Sequence, residues 1–292
     1  MHISKIKLKY YIFIFLAFYY LQSCNIINPA ENVPTYFHID SFTFTSPANK
    51  YLSKTHDINA VWVYYNNSPI GVFDLPATFP VMCTGNGQLE LMPGVLIDGQ
   101  NNMMTGYPFY SIDTLTFNAQ PGKIIYHQPK TTYFSAVKCT QISLFGSGTG
   151  SGITGFSTWG NTLPMTQYFD TFFCGKVVLN SPADSSVDST STTFAIAKGN
   201  SAFIEFDYKT TVPFYIGLQA NVSTISSTPY FLTGLYPNAG WKHFYLSVAD
   251  FNAQYQGTSY NMYIKANYDT SLMPKGIKTG TMLIANVQLI TF

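Results

Sequence analysis

Short segments of alternating side chains, separated by turn residues, dominate the sequence from residue 35 onwards. In Ala202–Lys209, the even-numbered side chains would face one way and the odd-numbered ones the other, which is the two-residue period of a β-strand. No helical pattern of apolar residues persists for three turns. The chain is therefore predicted to be all-β, and many short strands with regular turns favour sandwiches.

The clearest hairpin signal lies between residues 58 and 75. Ile58–Tyr65 is rich in β-branched and aromatic residues, Asn66-Asn67-Ser68 has turn composition, and Ile70–Leu75 returns. Ser181–Thr193, which reads SPADSSVDSTSTT, is predicted to be a polar loop. Further strands are predicted at Tyr36–Thr45, Thr78–Cys83, Gln88–Met92, Ser111–Phe117, Ile124–His127, Thr132–Phe145, Gly175–Asn180, Ala202–Lys209, Phe214–Ala220, Pro229–Leu235, His243–Ser247, Tyr260–Asn267 and Thr281–Thr291.

Five glycines within Gly146–Gly155 mark the expected boundary between two domains. We predict an N-terminal β-sandwich over residues 35–145, a connector over residues 146–164 and a C-terminal jelly-roll domain over residues 165–292. The connector contains a G-x-G-x-x-G spacing at Gly150–Gly155. No helical pattern follows it to hold a pyrophosphate, so we interpret it as a flexible connector.

Residues 1–23 are predicted to be a bacterial lipoprotein signal peptide. Three lysines precede Tyr10–Leu21, a 12-residue apolar run that is shorter than a bilayer span. The run ends in Leu21-Gln22-Ser23-Cys24, which resembles a lipobox, in which the cysteine is acylated and becomes the new N-terminus. The alternative is a short membrane anchor that is not cleaved. After cleavage, residues 24–34 would form a lipidated tether.

Acylation of Cys24 would place the protein in the cell envelope, bound to membrane lipid, with the outer membrane as the expected location. Removal of residues 1–23 leaves 12 Lys against 14 acidic residues, a net charge of −2, and the chain contains no Arg. Because Arg is best suited to forking onto phosphate, this composition argues against nucleic acid as a partner. A polysaccharide or an envelope protein is the expected partner.

Three further cysteines are Cys83, Cys139 and Cys174. An oxidising compartment allows one disulfide, and Cys139–Cys174 is the first pair to test. Three cysteines cannot pair completely, and their wide spacing matches no metal site, so buried free thiols are the favoured interpretation. No metal or other cofactor is predicted.

Glu205 and Asp207 are the carboxylates that stand two apart on one strand face, beside Lys209. Two facing carboxylates are the usual requirement of a glycosidase, and their proximity could raise a pKa. A solvated strand face is the commoner explanation, and we favour it. His243, between Trp241 and Tyr245 on its strand face, is expected to be structural. No catalytic residue is assigned, and the protein is predicted to be non-enzymatic.

Aromatic residues make up 17% of the chain and give the one positive indication of a ligand. Sugars stack on exposed aromatic faces and accept hydrogen bonds from amide side chains. The alternative is core packing, because Trp and Tyr bury large areas in sandwiches. We favour the core for Trp241 and expect Trp159, in irregular sequence, to be more exposed. The candidate ligand-binding residues are Trp159, Tyr215, Tyr230, Tyr236 and Trp241.

Val61–Gly94 contains a V-x-V-x-x-x-x-x-P-I-G pattern, then Leu75-Pro76 and a G-x-h-x-h-x-P-G return, where h is hydrophobic. This segment resembles a prealbumin-type surface domain of the PEGA class. The resemblance implies that the N-terminal sandwich is prealbumin-like.

The motifs FIEFDYK (Phe203–Lys209), GWKHFYLSVADF (Gly240–Phe251) and LIANVQLI (Leu283–Ile290) extend over the second half of the chain. Residues 165–292 resemble the galactose-binding-like jelly rolls of carbohydrate-binding modules. In that class a C-terminal Asp-Asn often helps to hold a structural Ca²⁺, and this chain has Ala285-Asn286 there.

The whole arrangement resembles Bacteroidota cell-envelope lipoproteins. It implies binding or surface presentation, with glycan binding by the jelly roll as the sharper hypothesis. The alternative is a structural accessory subunit of an envelope secretion or gliding complex, and an enzyme is a third option that would require an acidic cleft.

Overall fold

The structure is a computed structural model that describes residues 32–45, 52–99, 104–143, 145–146, 155–199, 201–222, 225–226 and 228–292. The predicted signal peptide, the predicted acylation site Cys24 and the centre of the glycine-rich connector lie outside these residues. The regular secondary structure of the described chain is almost entirely β-strand, with one short helix, which confirms the predicted all-β class of sandwiches. None of the described helical residues forms a segment long and apolar enough to cross a membrane.

The N-terminal part is a sandwich of two sheets. One sheet has the order β5-β1-β9, and the other has the order β4-β3-β6-β7 with β8 beside β6. A short parallel pair of β2 and β10 lies outside these sheets. The strands are β1 (Thr35–Ile39), β2 (Thr43–Phe44), β3 (Ile58–Tyr65), β4 (Ser68–Asp74), β5 (Ala77–Val81), β6 (Asn86–Leu96), β7 (Met104–Gly106), β8 (Asp113–Asn118), β9 (Ile124–Tyr126) and β10 (Lys130–Thr131).

The core of this sandwich comes from alternate residues of both sheets. Phe37 and Phe79 of the three-stranded sheet meet Val63 and Leu91 of the five-stranded one. The predicted β3–β4 hairpin is confirmed. Its turn residues Asn66 and Asn67 have φ of 46° and 65°, because a two-residue loop that matches the strand twist requires positive φ at both positions.

The C-terminal sandwich consists of two six-stranded sheets. The sheet that faces the N-terminal part, the interface sheet, has the order β13-β14-β22-β16-β20 with β11 beside β22. The other, the outer sheet, has the order β12-β15-β21-β17-β18 with β19 beside β17. The elements are β11 (Lys138–Ser143), β12 (Phe156–Thr158), β13 (Thr166–Phe169), β14 (Phe173–Leu179), β15 (Ser185–Thr190), β16 (Ala202–Thr210), β17 (Phe214–Val222), β18 (Ile225–Ser226), β19 (Tyr230–Leu235), β20 (Lys242–Ser247), α1 (Ala249–Tyr255), β21 (Ser259–Asn267) and β22 (Gly280–Thr291).

Inward residues of the two sheets form the largest apolar core, with Ile204 and Phe206 on the interface sheet and Ile216, Met262 and Ile264 on the outer sheet. Strand β11 precedes the glycine-rich stretch in the chain, yet it pairs with β22 of the C-terminal sandwich. Strand β12, inside the expected connector, pairs with β15. The domain boundaries stay a prediction.

The polar loop predicted at Ser181–Thr193 is wrong, because residues 185–190 form strand β15. Asp188 on this strand is buried and accepts hydrogen bonds from Ser186 Oγ at 2.7 Å and Thr158 Oγ1 at 3.2 Å. The inward face of β15 thus uses small hydroxyls and a satisfied carboxylate in place of apolar side chains. An apolar–polar pattern could not reveal such a strand.

The register also excludes the Cys139–Cys174 disulfide. Strands β11 and β14 lie end to end along β22, where Cys139 pairs with Ile290 and Gly175, next to Cys174, pairs with Ile284. Cys174 thus lies opposite residue 285, five positions along β22 from Ile290. Five residues of strand span about 17 Å, whereas a disulfide needs Cα atoms within about 7 Å. Within the described residues, Cys83, Cys139 and Cys174 form no disulfide, and burial raises the pKa of Cys139 to about 12 and that of Cys174 to about 11.

The N-terminal part covers a portion of the outward face of the interface sheet, around Phe203, Tyr245 and Ile290. Tyr107 and Tyr110 pack against Phe203 and Tyr245 in a shared apolar cluster. A backbone bridge joins Ile97 to Tyr245. The two parts are therefore joined by a packed aromatic interface as well as by the chain itself.

Candidate functional site

The outward face of the outer sheet carries aromatic and amide side chains in neighbouring positions. Because residues alternate along a strand, the buried Tyr260, Met262 and Ile264 of β21 leave residues 261, 263 and 265 outward. The register with β17 and β19 aligns these residues with further outward side chains. We call the following set the aromatic face: Trp159, Tyr215, Gln219, Asn221, Phe231, Asn261, Tyr263 and Lys265.

Trp159 and Tyr263 form the centre of the aromatic face. Their rings meet edge to face, with centroids 5.4 Å apart at an interplanar angle of 76°. Trp159 is 52% exposed, whereas Tyr263 is 6% exposed and donates its hydroxyl to Gln219 Oε1 at 2.6 Å. The main chain of Trp159 donates to the carbonyl of Val187 at 2.8 Å. A fixed tyrosine therefore supports a tryptophan ring that is open to solvent.

Two glycines make room for two further rings. Tyr215 pairs with Gly234, and Phe231 pairs with Gly217. A Cβ at Gly234 would lie 2.9 Å from the Tyr215 ring, and one at Gly217 would lie 3.0 Å from the Phe231 ring. Each ring thus rests against the neighbouring strand where only glycine leaves space, and both rings remain about one-third exposed.

Amide side chains lie beside the rings in a bonded network. Asn221 Nδ2 donates to Asn261 Oδ1 at 3.0 Å, and Asn261 Nδ2 donates to the carbonyl of Thr190 at 3.1 Å. The ammonium of Lys265 lies 6.0 Å from the Phe231 ring centroid. Rings that can stack, beside oriented amides, are the combination that a polyhydroxylated ligand needs.

The five candidate aromatic residues are not on one surface. Trp159 and Tyr215 both belong to the aromatic face. Tyr230 instead packs near the ring of Tyr255, a residue of helix α1, with ring centroids 6.1 Å apart. Tyr236 lies exposed in the loop after β19. Trp241 is half-buried near the interface sheet. Trp159 and Tyr215 therefore remain the candidates that the structure brings together.

Tyr263 and Phe231 were missed by the sequence reasoning. The signal for Tyr263 was present, because the predicted strand Tyr260–Asn267 alternates and would place residues 261, 263 and 265 on one side. Phe231 lies beyond a register shift between Ile216 and Gly217 on the paired strand. A bulge of this kind changes which side chains share a face, and simple alternation does not show it.

The solvated strand face predicted for Glu205 and Asp207 is wrong, because both carboxylates are at most 1% exposed. Glu205 accepts hydrogen bonds from Tyr107 Oη, from Tyr133 Oη at 2.5 Å and from Gln288 Nε2 at 2.9 Å. The N-terminal part supplies both tyrosines. Local sequence could not predict this burial, because the covering residues lie far away in the chain.

His243 completes this buried group. Its Nε2 lies 3.4 Å from Glu205 Oε2, and Asp207 accepts from Thr55 Oγ1 at 2.7 Å and from Asn286 Nδ2 at 2.6 Å. Burial alone would lower the pKa of His243, but Asp207 and Glu205 raise it to about 10. We call Glu205, Asp207 and His243 the buried triad. Its carboxylate oxygens and His243 Nδ1 are bonded within the interface, and His243 Nε2, which has no hydrogen-bond partner among the described residues, faces Glu205. We therefore assign the triad to holding the two parts together.

Lys209 does not pair with these carboxylates; its ammonium lies 3.6 Å from Asp170 Oδ2. Within the described part of the chain, no group of three or more His, Cys, Asp or Glu residues is arranged to hold a metal ion.

The fold and this site define an all-β sandwich protein with an exposed aromatic face. No protein-family model and no curated protein matches the chain. Among solved structures, a family 29 carbohydrate binding module from Piromyces equi is similar over 54% of this chain and 92% of its own, at 13% identity and a TM-score of 0.37. Another family 29 carbohydrate binding module matches over 53% of this chain and 88% of its own, at 18% identity and a TM-score of 0.34.

The enzymatically active domain of tailspike protein 4 from bacteriophage CBA120 also matches, at 11% identity and a TM-score of 0.39. The match covers 52% of this chain and 21% of the tailspike chain. The description of this chain as an all-β sandwich rests on its own sheets.

Proposed function

We propose that the protein is a non-enzymatic envelope lipoprotein that binds a neutral glycan on the aromatic face. The observation that carries the proposal is the exposed Trp159 ring, supported by Tyr263 and flanked by Tyr215 and Phe231 on one outward sheet surface. The C–H faces of a sugar ring pack on such rings, and sugar hydroxyls bond to neighbouring amides.

The charge of the aromatic face favours a neutral ligand. Among the described outward positions of β15, β17 and β21, Lys265 is the only charged residue. Asn221 and Asn261 place uncharged amides beside the rings, and their Nδ2 groups are held in position by bonds to Asn261 Oδ1 and to the carbonyl of Thr190. Recognition would therefore depend on stacking and hydrogen bonding, with little dependence on salt.

The decisive experiment is affinity electrophoresis of the full chain in gels that contain β-glucan, mannan or xylan. We expect retardation by at least one polysaccharide, and an approximately tenfold loss of affinity in Trp159→Ala, as for a central aromatic contact. Tyr236→Ala is the matched control, because it removes a ring that is 66% exposed, against 52% for Trp159, and that does not belong to the aromatic face. A folded protein that none of these polysaccharides retards, or equal losses in the two variants, would contradict the proposal.

The membrane anchor is the second element of the proposal. Acylation at Cys24 would attach residues 24–34 to the outer membrane and leave the sandwiches free to reach polysaccharide. Support comes from the lysines, apolar run and lipobox-like end of residues 1–24. Two or more acyl chains are needed for firm attachment, because one chain alone binds only marginally.

An accessory subunit of an envelope complex is the second candidate function. It is favoured by β4, an edge strand of the five-stranded sheet, on which Ile70 and Val72 are 38% and 40% exposed. An edge strand with apolar side chains can accept a strand from another protein. Cross-linked partners that are recovered from membranes with wild type, but not with Val72→Lys, would favour this function over glycan binding.

A further inference from the structure

We propose that a cleft on the interface sheet binds a small carboxylate whose body is apolar. The cleft lies on the portion of the outward face that the N-terminal part leaves uncovered, and its volume is about 420 Å³. This volume lies within the usual range of small-molecule sites, about 300–1,000 Å³. The cleft belongs to the opposite sheet from the aromatic face, so the two sites can be tested independently.

A row of three side chains forms the floor of the cleft. Lys176 of β14 and Lys209 of β16 are both register partners of Leu283 on β22, which lies between them. Because adjacent strands lie about 4.8 Å apart, the two lysine backbones are separated by about 10 Å. The floor thus has a largely buried apolar centre, Leu283, which is 5% exposed, with a lysine on the strand at either side.

The two ammonium groups differ in how they are compensated. Lys209 is 3.6 Å from Asp170 Oδ2, and Asp170 also accepts from Trp241 Nε1 at 2.7 Å. The Trp241 bond and the charge of Lys209 hold the pKa of Asp170 below its usual range, so this carboxylate stays ionised. Lys176 lies 4.1 Å above the Tyr168 ring and has no carboxylate partner among the described residues. The cleft therefore carries one uncompensated positive charge.

Asn238 and Thr210, two polar residues that line the cleft, are already bonded within the protein. Asn238 Oδ1 accepts from the Thr210 amide at 2.8 Å, and Asn238 Nδ2 donates to the carbonyl of Gly240 at 2.8 Å. Thr210 Oγ1 donates to the carbonyl of Val212 at 2.6 Å. The walls also include four apolar residues, Pro237, Ala239, Pro274 and Ile277.

The charge and the polar and apolar groups of the cleft favour one class of ligand. A sugar would bring many hydroxyls into a cleft that has few free partners for them, and unpaired buried hydroxyls are costly. A carboxylate can bond to the ammonium of Lys176 while an alkyl or aryl body covers Leu283 and the prolines. An anionic head with an apolar body is therefore favoured over an acidic polysaccharide.

The test compares octanoate with 1-octanol as probes for the full chain, by isothermal titration calorimetry at pH 7. We expect octanoate to bind at least about tenfold more tightly than octanol, because a charge-assisted bond adds to the same apolar contact. Lys176→Met should remove this preference. Lys123→Met is the matched control, since Lys123 is exposed in the N-terminal part, outside the cleft.

A second variant guards against an indirect effect of removing a charge. Ala239→Trp places a large side chain at an exposed loop position in the cleft wall and should abolish octanoate binding while both lysines remain. Circular dichroism and the unfolding temperature check that each variant is folded. Retention on neutral glycans should be unchanged in every cleft variant.

Three results would overturn the proposal. They are no binding of octanoate by the folded wild type, equal affinity for octanoate and octanol, and unchanged octanoate binding in Lys176→Met. Binding of polygalacturonate without any binding of octanoate would also overturn it, because the ligand would then be an acidic sugar. None of these results bears on the aromatic face.

Discussion

Nδ1 of His243 lies 2.9 Å from Oδ1 of Asp207, and both side chains are at most 2% exposed where the N-terminal part meets the interface sheet. Burial alone would raise the pKa of Asp207, but the charge of His243 and the bonds from His243, Asn286 and Thr55 hold it below its usual range. The pair is thus a buried ion pair at neutral pH, with its second imidazole nitrogen towards Glu205.

The buried triad predicts a specific dependence of stability on pH. The folded pKa of His243, about 10, exceeds its ordinary value of 6.5. A raised pKa means that its stabilisation is fully present below pH 6.5 and is lost as pH rises through about 10. We expect the free energy of unfolding to fall by up to about 1.4 kcal/mol per pH unit between pH 7 and 9.5. Urea titrations in this range measure the slope.

The control for this slope is His243→Gln, which keeps a polar side chain but cannot titrate. Its free energy of unfolding should be lower at pH 7 and nearly flat up to pH 9.5. An equal slope in wild type and variant would assign the pH dependence to other groups. At acid pH the free energy of unfolding should instead rise with pH. The lowered pKa of Asp207 gives stabilisation that is present above its ordinary value of 3.8 and is lost as the pH falls below it.

The tyrosine bonds to Glu205 predict a second stability effect. Tyr133→Phe removes one hydroxyl donor and leaves the buried carboxylate less well satisfied, which should cost about 1–3 kcal/mol in urea unfolding at pH 7. Tyr126→Phe is the control, because Tyr126 is 72% exposed. Equal stability of the two variants would show that the Tyr133–Glu205 bond contributes nothing to holding the parts together.

The glycines of the aromatic face predict an effect on binding. In Gly234→Ala, the new methyl group would displace the ring of Tyr215, with which it would overlap at 2.9 Å. We expect weaker retardation in the glycan gels, by about the same factor as in Tyr215→Ala, with little loss of stability. Gly240→Ala should leave binding unchanged, because a Cβ there meets no atom within 4 Å. Normal binding by Gly234→Ala would remove Tyr215 from the proposed site.

The lipid anchor predicts a simple labelling result. Cells that express the full chain should incorporate radiolabelled palmitate into it, and Cys24→Ser should not. Cys83→Ser is the control, because it removes a cysteine that lies outside the lipobox-like sequence. Labelling that persists in Cys24→Ser would refute Cys24 as the acceptor.

Local sequence patterns were sufficient for much of the strand content. The β3 strand has the predicted bounds, and its hairpin forms at Asn66-Asn67, because both depend on neighbouring residues. Strand β15 escaped prediction because its buried side is polar and internally bonded. Pattern reasoning assumes that buried faces are apolar.

The candidate site was predictable only where a residue's exposure depends on its neighbours in the sequence. Trp159 was expected to be exposed from its irregular surroundings, and it is. The burial of Glu205 and Asp207 depends on a contact between distant parts of the chain, which no local pattern shows. The supporting role of Tyr263 required the register of three strands.

Strand β22 is central in the interface sheet and follows all of its partners in the chain. During synthesis or export, β11, β14 and β16 therefore each keep one edge without its backbone hydrogen bonds until residues 280–291 become available for pairing. Such long-range pairing makes folding slow and exposes edges to aggregation. The interface sheet is thus expected to close late, in a single cooperative step, and to depend on chaperones that protect the unfinished chain.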